Sequence, residues 1–179
     1  MAKQSEFTVK LTGVHLCCLG CVNAVDAAIM RVEWASSGCD MENGTVTVTA
    51  SDAAAAQKAL DALAAAGFYG STDYRRVAMK AVGKVPQGKV NSVKVSGIHN
   101  CCGLCCDAIK EAISTVDGVI GDTAKPRATT FEVTGDFYAV ALVRELNAAG
   151  FSAQVTQSKI PYLNRSRANA PKPSKDCTH

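Results

Sequence analysis

The chain has 179 residues, 47% hydrophobic and 20% charged, with a formal net charge of +3, a globular composition long enough for one domain or two small ones. That charge is too mild, and an aromatic content of 6% too low, to point to nucleic acid. The uncharged apolar stretches fall short of the ~18–20 residues a membrane span needs. Met1–Lys10 lacks the basic start and apolar run of a signal peptide. This favours the cytoplasm if Met1 is native, and an extracytoplasmic site if a signal peptide has been removed.

In chain order, Phe7-Thr8-Val9-Lys10-Leu11 alternates with period two, as a half-buried strand does. Val22, Val25, Ala28, Ile29 and Val32 then mark one face of a helix over Cys21–Val32, with Met30 read as helix packing. Asn43-Gly44 is a hairpin turn before the β-branched strand Thr45–Thr49. Ser51 or Asp52 caps an Ala-rich helix from Ala53 to Ala66, Gly67 stops it, and a short strand is expected near Phe68–Tyr74.

The order then repeats. Val90–Val95 is a strand; Ile109, Ile113 and Val116 stripe a helix that Asp117-Gly118 ends; Thr129–Thr134 is a strand. Asp136 is expected to cap a helix over Phe137–Ala149, Gly150 to close it, and Phe151–Thr156 to form the last strand. The sequence itself is duplicated. Thr12-Gly13-Val14-His15-Leu16-Cys17-Cys18-Leu19-Gly20-Cys21 returns as Ser96-Gly97-Ile98-His99-Asn100-Cys101-Cys102-Gly103-Leu104-Cys105, and Ala65-Ala66-Gly67-Phe68 as Ala148-Ala149-Gly150-Phe151. The predicted architecture is α+β: two βαββαβ units in tandem, each with its helices on one face of an antiparallel sheet. Copy one spans 5–75, a linker 76–89, copy two 90–157, and a flexible basic tail 158–179.

Seven of the nine cysteines fall in the two duplicated loops, each opening the first helix of its copy. Clustering at short spacing points to metal capture or redox chemistry, whereas a disulfide scaffold spreads its cysteines so that bridges close long loops. A helix N-terminus stabilises thiolates, and thiolates are soft donors that select Cu(I), Zn(II) and their heavier relatives. Candidate ligands are Cys17, Cys18, Cys21 and His15 in copy one, and Cys101, Cys102, Cys105 and His99 in copy two. Cys106 stands where copy one has Val22 and is as well suited to core filling as to ligation. Cys39 reads as a plain thiol, and Cys177 with His179 as bystanders in the tail.

The element order, the glycine-and-cysteine loop and the helix starts Cys-Val-Asn-Ala-Val-Asp and Cys-Asp-Ala-Ile-Lys-Glu resemble the heavy-metal-associated domain. That family includes copper chaperones, N-terminal modules of copper-transporting ATPases and the mercury-binding protein of mercury resistance. The resemblance implies a ferredoxin-like fold and soft-metal binding by Cys18 with Cys21 and by Cys102 with Cys105. The family's usual loop is Gly-Met-x-Cys-x-x-Cys; here two residues are added, the Met is absent, and His15 and Cys17 are new. Copy two makes the same changes at His99 and Cys101.

The expected function is non-enzymatic binding of Cu(I), with Zn(II), Hg(II) or another thiophilic ion as alternatives. It would serve chaperoning, buffering or detoxification, with a metal-transporting ATPase or another metal acceptor as partner. Adjacent cysteines bridge two ions more readily than they chelate one, which favours polynuclear thiolate clusters, within one copy or shared across the linker. The rival readings are thiol–disulfide exchange and structural zinc bound by Cys3His. Neither Cys21 nor Cys105 precedes a His, so covalent haem attachment is not indicated, and no phosphate-binding loop or nucleophilic-serine elbow is found.

Overall fold

A computed structural model describes residues 6–158. The first repeat contains β1 (Phe7–Thr12), α1 (Leu19–Ile29), β2 (Ser36–Asp40), β3 (Thr45–Ala50), α2 (Ala53–Ala65) and β4 (Ser71–Thr72). The second contains β5 (Lys89–Ser96), α3 (Gly103–Ser114), β6 (Val119–Asp122), β7 (Thr130–Tyr138), α4 (Ala139–Ala148) and β8 (Gln154–Gln157). The sheets run β2-β3-β1-β4 and β6-β7-β5-β8, all neighbours antiparallel. With two helices per sheet, these are two tandem ferredoxin-like βαββαβ units.

Hydrophobic spacing explains how each layer packs. Val9 and Leu11 point inward from β1 while Thr8, Lys10 and Thr12 face out. Cys21, Val25, Ala28 and Ile29 form the buried stripe of α1, and Ala56, Ala59, Leu60, Leu63 and Ala64 that of α2. Asp52 caps α2 as expected, its carboxylate accepting from the Ala55 N–H at 2.8 Å. Ile109, Ala112 and Ile113 on α3 meet Leu142 and Leu146 on α4 in the second unit. Buried residues of both repeats belong to one continuous cluster. Among the described residues no helix is long and apolar enough to cross a membrane.

Several local expectations are corrected. Helix α1 ends at Ile29, so Met30 lies off the buried stripe and is 80% exposed rather than packed. Asp136 does not cap α4: the inward alternation Phe131, Val133, Gly135, Phe137 carries β7 on to Tyr138, and the Asp136 carboxylate binds Lys89 at 2.8 Å. Phe68 and Phe151 do not start regular strands. They form an antiparallel bridge with each other, across the two repeats. At the start of segment 76–89, Val77 is buried, and the Gln57 side chain both accepts from Ala78 N–H and donates to its carbonyl. The tail expected to be flexible, with Cys177 and His179, lies outside the described residues apart from Ser158.

Candidate metal centre

Each cysteine loop is an extended step between a first strand and a first helix. After Gly13 and Gly97, both at positive φ, inward residues alternate with outward ones: Val14 and Leu16 in copy one, Ile98 and Asn100 in copy two, are buried. The intervening His15, Cys17, His99 and Cys101 therefore face away from their own cores. Period-two alternation along each loop thus sets a histidine and a cysteine on its outward side. Asn100 fixes its loop further, its Nδ2 donating to the carbonyls of Lys125 at 2.8 Å and Ala128 at 2.9 Å.

The outward sides of the two loops meet. Gly150 seats the His15 loop and Gly67 the His99 loop: a Cβ at Gly67 would lie 2.1 Å from the His99 nitrogen, and one at Gly150 2.4 Å from the His15 nitrogen. The His15 ring packs on Phe151 with centroids 4.5 Å apart, and His99 stacks on Phe68 at 4.3 Å, so each histidine is held by the other repeat. Two hydrogen bonds close the seam with the same near-twofold exchange, Tyr69 N–H to the Gly150 carbonyl and Ser152 N–H to the Gly67 carbonyl, both 3.0 Å.

Across this seam six sulfurs converge. From one repeat to the other, Cys17 Sγ lies 3.5 Å from those of Cys102 and Cys105, Cys18 Sγ 3.6 Å from Cys101, and Cys21 Sγ 3.8 Å from Cys101 and 3.9 Å from Cys105. Within the repeats, Cys17–Cys21 and Cys101–Cys105 are 3.6 and 3.7 Å, and the two Cys-x-x-Cys pairs are 3.9 Å each. The donor atoms of Cys21, His99, Cys101 and Cys105 all lie within 4.8 Å of one another, as do those of His15, Cys17 and Cys105, and those of Cys17, Cys18 and Cys102. Every candidate of the first rank is thus in one place. Cys106 is not among these groups; it is buried in the core beside Ile109, and burial raises its pKa. Cys39 sits half-buried on β2, its thiol pushed up to about 11 by burial and then by Asp26.

The electrostatics divide the sulfurs by position. Cys18 and Cys102 are the N-cap residues of α1 and α3. The N–H groups of the first helical turn, Cys21 foremost, lower the Cys18 pKa. Their equivalents, Cys105 foremost, bring Cys102 down to about 7. Burial, followed by the crowd of neighbouring thiols, raises Cys17 and Cys101, and burial raises Cys105. Burial also lowers both histidines, His99 further through His15, which keeps them neutral. The Nε2 atoms of both are buried without a hydrogen-bond partner. A cleft of about 520 Å³, lined by His99, Asn100, Cys101 and Arg127 among others, opens beside the sulfurs.

Sequence reasoning singled out these cysteines and histidines but not the residues that support them. Gly67, Phe68, Gly150 and Phe151 were legible only as a duplicated helix stop, although their exact repetition beside a duplicated loop was a signal that the two motifs work together.

No protein-family model matches the chain, and no curated protein matches it. Solved structures with a similar fold include the following two. One is a copper-binding domain from HMA7, a P-type ATPase, 20% identical, with a TM-score of 0.34 over 40% of this chain and 99% of that one. The other comprises the N-terminal soluble domains of Bacillus subtilis CopA, 12% identical, with a TM-score of 0.31 over 87% of this chain and 97% of that one. The fold assignment above rests on strand order and pairing, and not on these likenesses.

Proposed function

We propose that the chain captures a soft metal, Cu(I) first, at one thiolate centre shared by its two repeats, and holds or passes on that metal without chemical turnover. The observation that carries this reading is the convergence of six cysteine sulfurs, three from each repeat, at separations of 3.5–3.9 Å. Thiolates select Cu(I), Zn(II) and heavier thiophilic ions such as Hg(II) over hard cations. Cys17, Cys18, Cys21, Cys101, Cys102 and Cys105 are the ligands of this reading, bridging more than one ion, with His15 and His99 beside them. Residues 5–75 and 90–157 serve as the two binding modules, 76–89 as their connection and 158–179 as the tail. Buffering and detoxification suit a centre enclosed by both repeats. Delivery to a metal-transporting ATPase or another acceptor requires a donor that solvent reaches, which the half-buried Cys18 and Cys102 supply at the helix starts.

The test is anaerobic Cu(I) titration of the reduced chain against a chromogenic Cu(I) chelator. We expect the protein to win copper from the chelator, and Cys18→Ser with Cys102→Ser to weaken it by roughly 100-fold, the upper end of what even outer-shell changes cost a metal site. If the chelator keeps all the copper, the Cu(I) reading falls.

One arrangement favours zinc as a second reading. Sulfurs of Cys21, Cys101 and Cys105 are 3.7–3.9 Å apart with a His99 nitrogen close by. A tetrahedral Zn(II) with sulfurs at about 2.3 Å spaces them by about 3.8 Å. A structural ion of this kind would make chelation part or unfold the repeats, so a chelator that leaves thermal stability unchanged excludes it.

A further inference from the structure

Resting on the soft-metal reading above, the geometry points to a cage of fixed capacity: the six sulfurs form an octahedron whose alternate faces take four Cu(I) ions, with the histidines outside the metal shell. The opposite corners are Cys17 and Cys101, Cys18 and Cys105, and Cys21 and Cys102. Nine of the remaining pairs are the contacts of 3.5–3.9 Å given above. Cys17–Cys18 and Cys18–Cys102, within 4.8 Å, are two more. The last edge of such a solid joins the neighbours Cys101 and Cys102.

A trigonal metal bonded to sulfur at about 2.3 Å, the zinc–thiolate length, holds its three sulfurs about 4.0 Å apart. The faces Cys17/Cys21/Cys105 and Cys18/Cys21/Cys101 have all edges between 3.5 and 3.9 Å and need only a slight expansion. The faces Cys17/Cys18/Cys102 and Cys101/Cys102/Cys105 each include a pair of sequence neighbours, whose side chains diverge, and fill last. Neighbouring faces share an edge and would press two cations together, so only alternate faces are occupied. Each sulfur then belongs to two occupied faces, and six bridging thiolates supply every bond that four trigonal ions require.

Nothing is left for nitrogen to complete. Each bound thiol releases its proton to solvent as copper enters, so the filled cage carries a charge of two minus. His15 and His99 each bring a ring nitrogen within 4.8 Å of cage sulfurs. Clamped on Phe151 and Phe68, they serve as positioning residues that fix how the two halves of the cage face each other and keep ring nitrogens beside its excess charge.

The cage is tested by native mass spectrometry of the reduced full chain loaded anaerobically with excess Cu(I), in the wild type and in a His15→Phe/His99→Phe variant that keeps an aromatic ring on each platform. We expect saturation at four coppers in both, with the variant, which has lost the ring nitrogens, holding them less tightly against the chelator. X-ray absorption of the saturated wild type, which does not depend on the variant folding, should show three sulfur neighbours per copper, no nitrogen and a short copper–copper path. Tight binding that saturates at any other number, or nitrogen among the copper ligands, overturns the cage and leaves the soft-metal reading standing. Failure to hold copper against the chelator removes that reading itself. A folded variant that stops short of four overturns the placement of the histidines outside the metal shell.

Discussion

Cys18 and Cys102 differ from the other cage sulfurs because the chain places them at the N-cap of a helix. N–H groups of the first turn lower the pKa of both thiols, that of Cys102 to about 7. Cys17 and Cys101, one residue earlier, lose solvent without gaining those N–H groups, and their pKa values rise. The thiolate is the reactive species, so in the metal-free protein the order of reactivity follows position rather than residue type. A short pulse of iodoacetamide, read peptide by peptide in the mass spectrometer, should label Cys102 first, with a rate that climbs through pH 7. Cys17 and Cys101 should be labelled last. Labelling of Cys102 at pH 7 no faster than Cys39, whose thiol is pushed up to about 11, would rule out activation by the helix start.

Between elements, the decisive contact is the one where the end of a second helix in one repeat receives the cysteine loop of the other. Gly67 and Gly150 follow α2 and α4 at φ +91 and +90, a conformation that favours glycine, and each has the opposite loop's backbone where a side chain would stand. Gly67→Ala therefore combines left-handed backbone strain, about 1–3 kcal/mol, with a clash that no side-chain rotation relieves. We expect a lower melting temperature and, more tellingly, weaker copper binding in a variant that has lost no ligand. Unchanged copper affinity in the folded variant would show that seating of the loop does not govern the centre. The same seam accounts for the short last strands. Phe68 and Phe151 pair with each other and support the histidines, leaving only Ser71–Thr72 and Gln154–Gln157 to complete the sheets.

At the scale of the whole molecule, the two repeats share one buried cluster and one sulfur centre, which links folding to pH and to metal. Cys17, Cys101 and Cys105 have raised pKa values when folded, so above the unfolded thiol value near 8.5 the folded chain keeps protons that the unfolded chain gives up. Their contribution is complete below about pH 8.5 and is lost as the pH rises. The lowered Cys18 and Cys102 act in the opposite sense, their contribution present above about pH 8.5 and fading as the pH falls, for Cys102 through about 7. The raised sulfurs are the more numerous, so the metal-free protein should melt at a lower temperature at pH 10 than at pH 8. Copper loading, which replaces those protons, should largely remove the difference. Thermal melts at both pH values, with and without Cu(I), check this; a metal-free melting temperature that does not fall would refute it.

Much of this protein is written in local pattern. Period-two alternation in Phe7–Leu11, the apolar stripe through Val25 and Ile29, the Asp52 cap and the duplicated loop suffice for two α+β units with cysteines at the helix starts. These features are legible because each depends on neighbours a few residues away. Where local signals competed, packing decided: Asp136 had the chemistry of a cap, but the inward alternation ending at Phe137 extended the strand past it. The meeting of Cys17 with Cys102 and Cys105, at 3.5 Å, was decided by tertiary structure alone. The sequence determined that each repeat carries soft donors on the loop that opens its first helix. Only the seam at Gly67 and Gly150 determined that the two sets of donors make one centre, because that depends on shape complementarity between surfaces some 84 residues apart, which no local periodicity encodes.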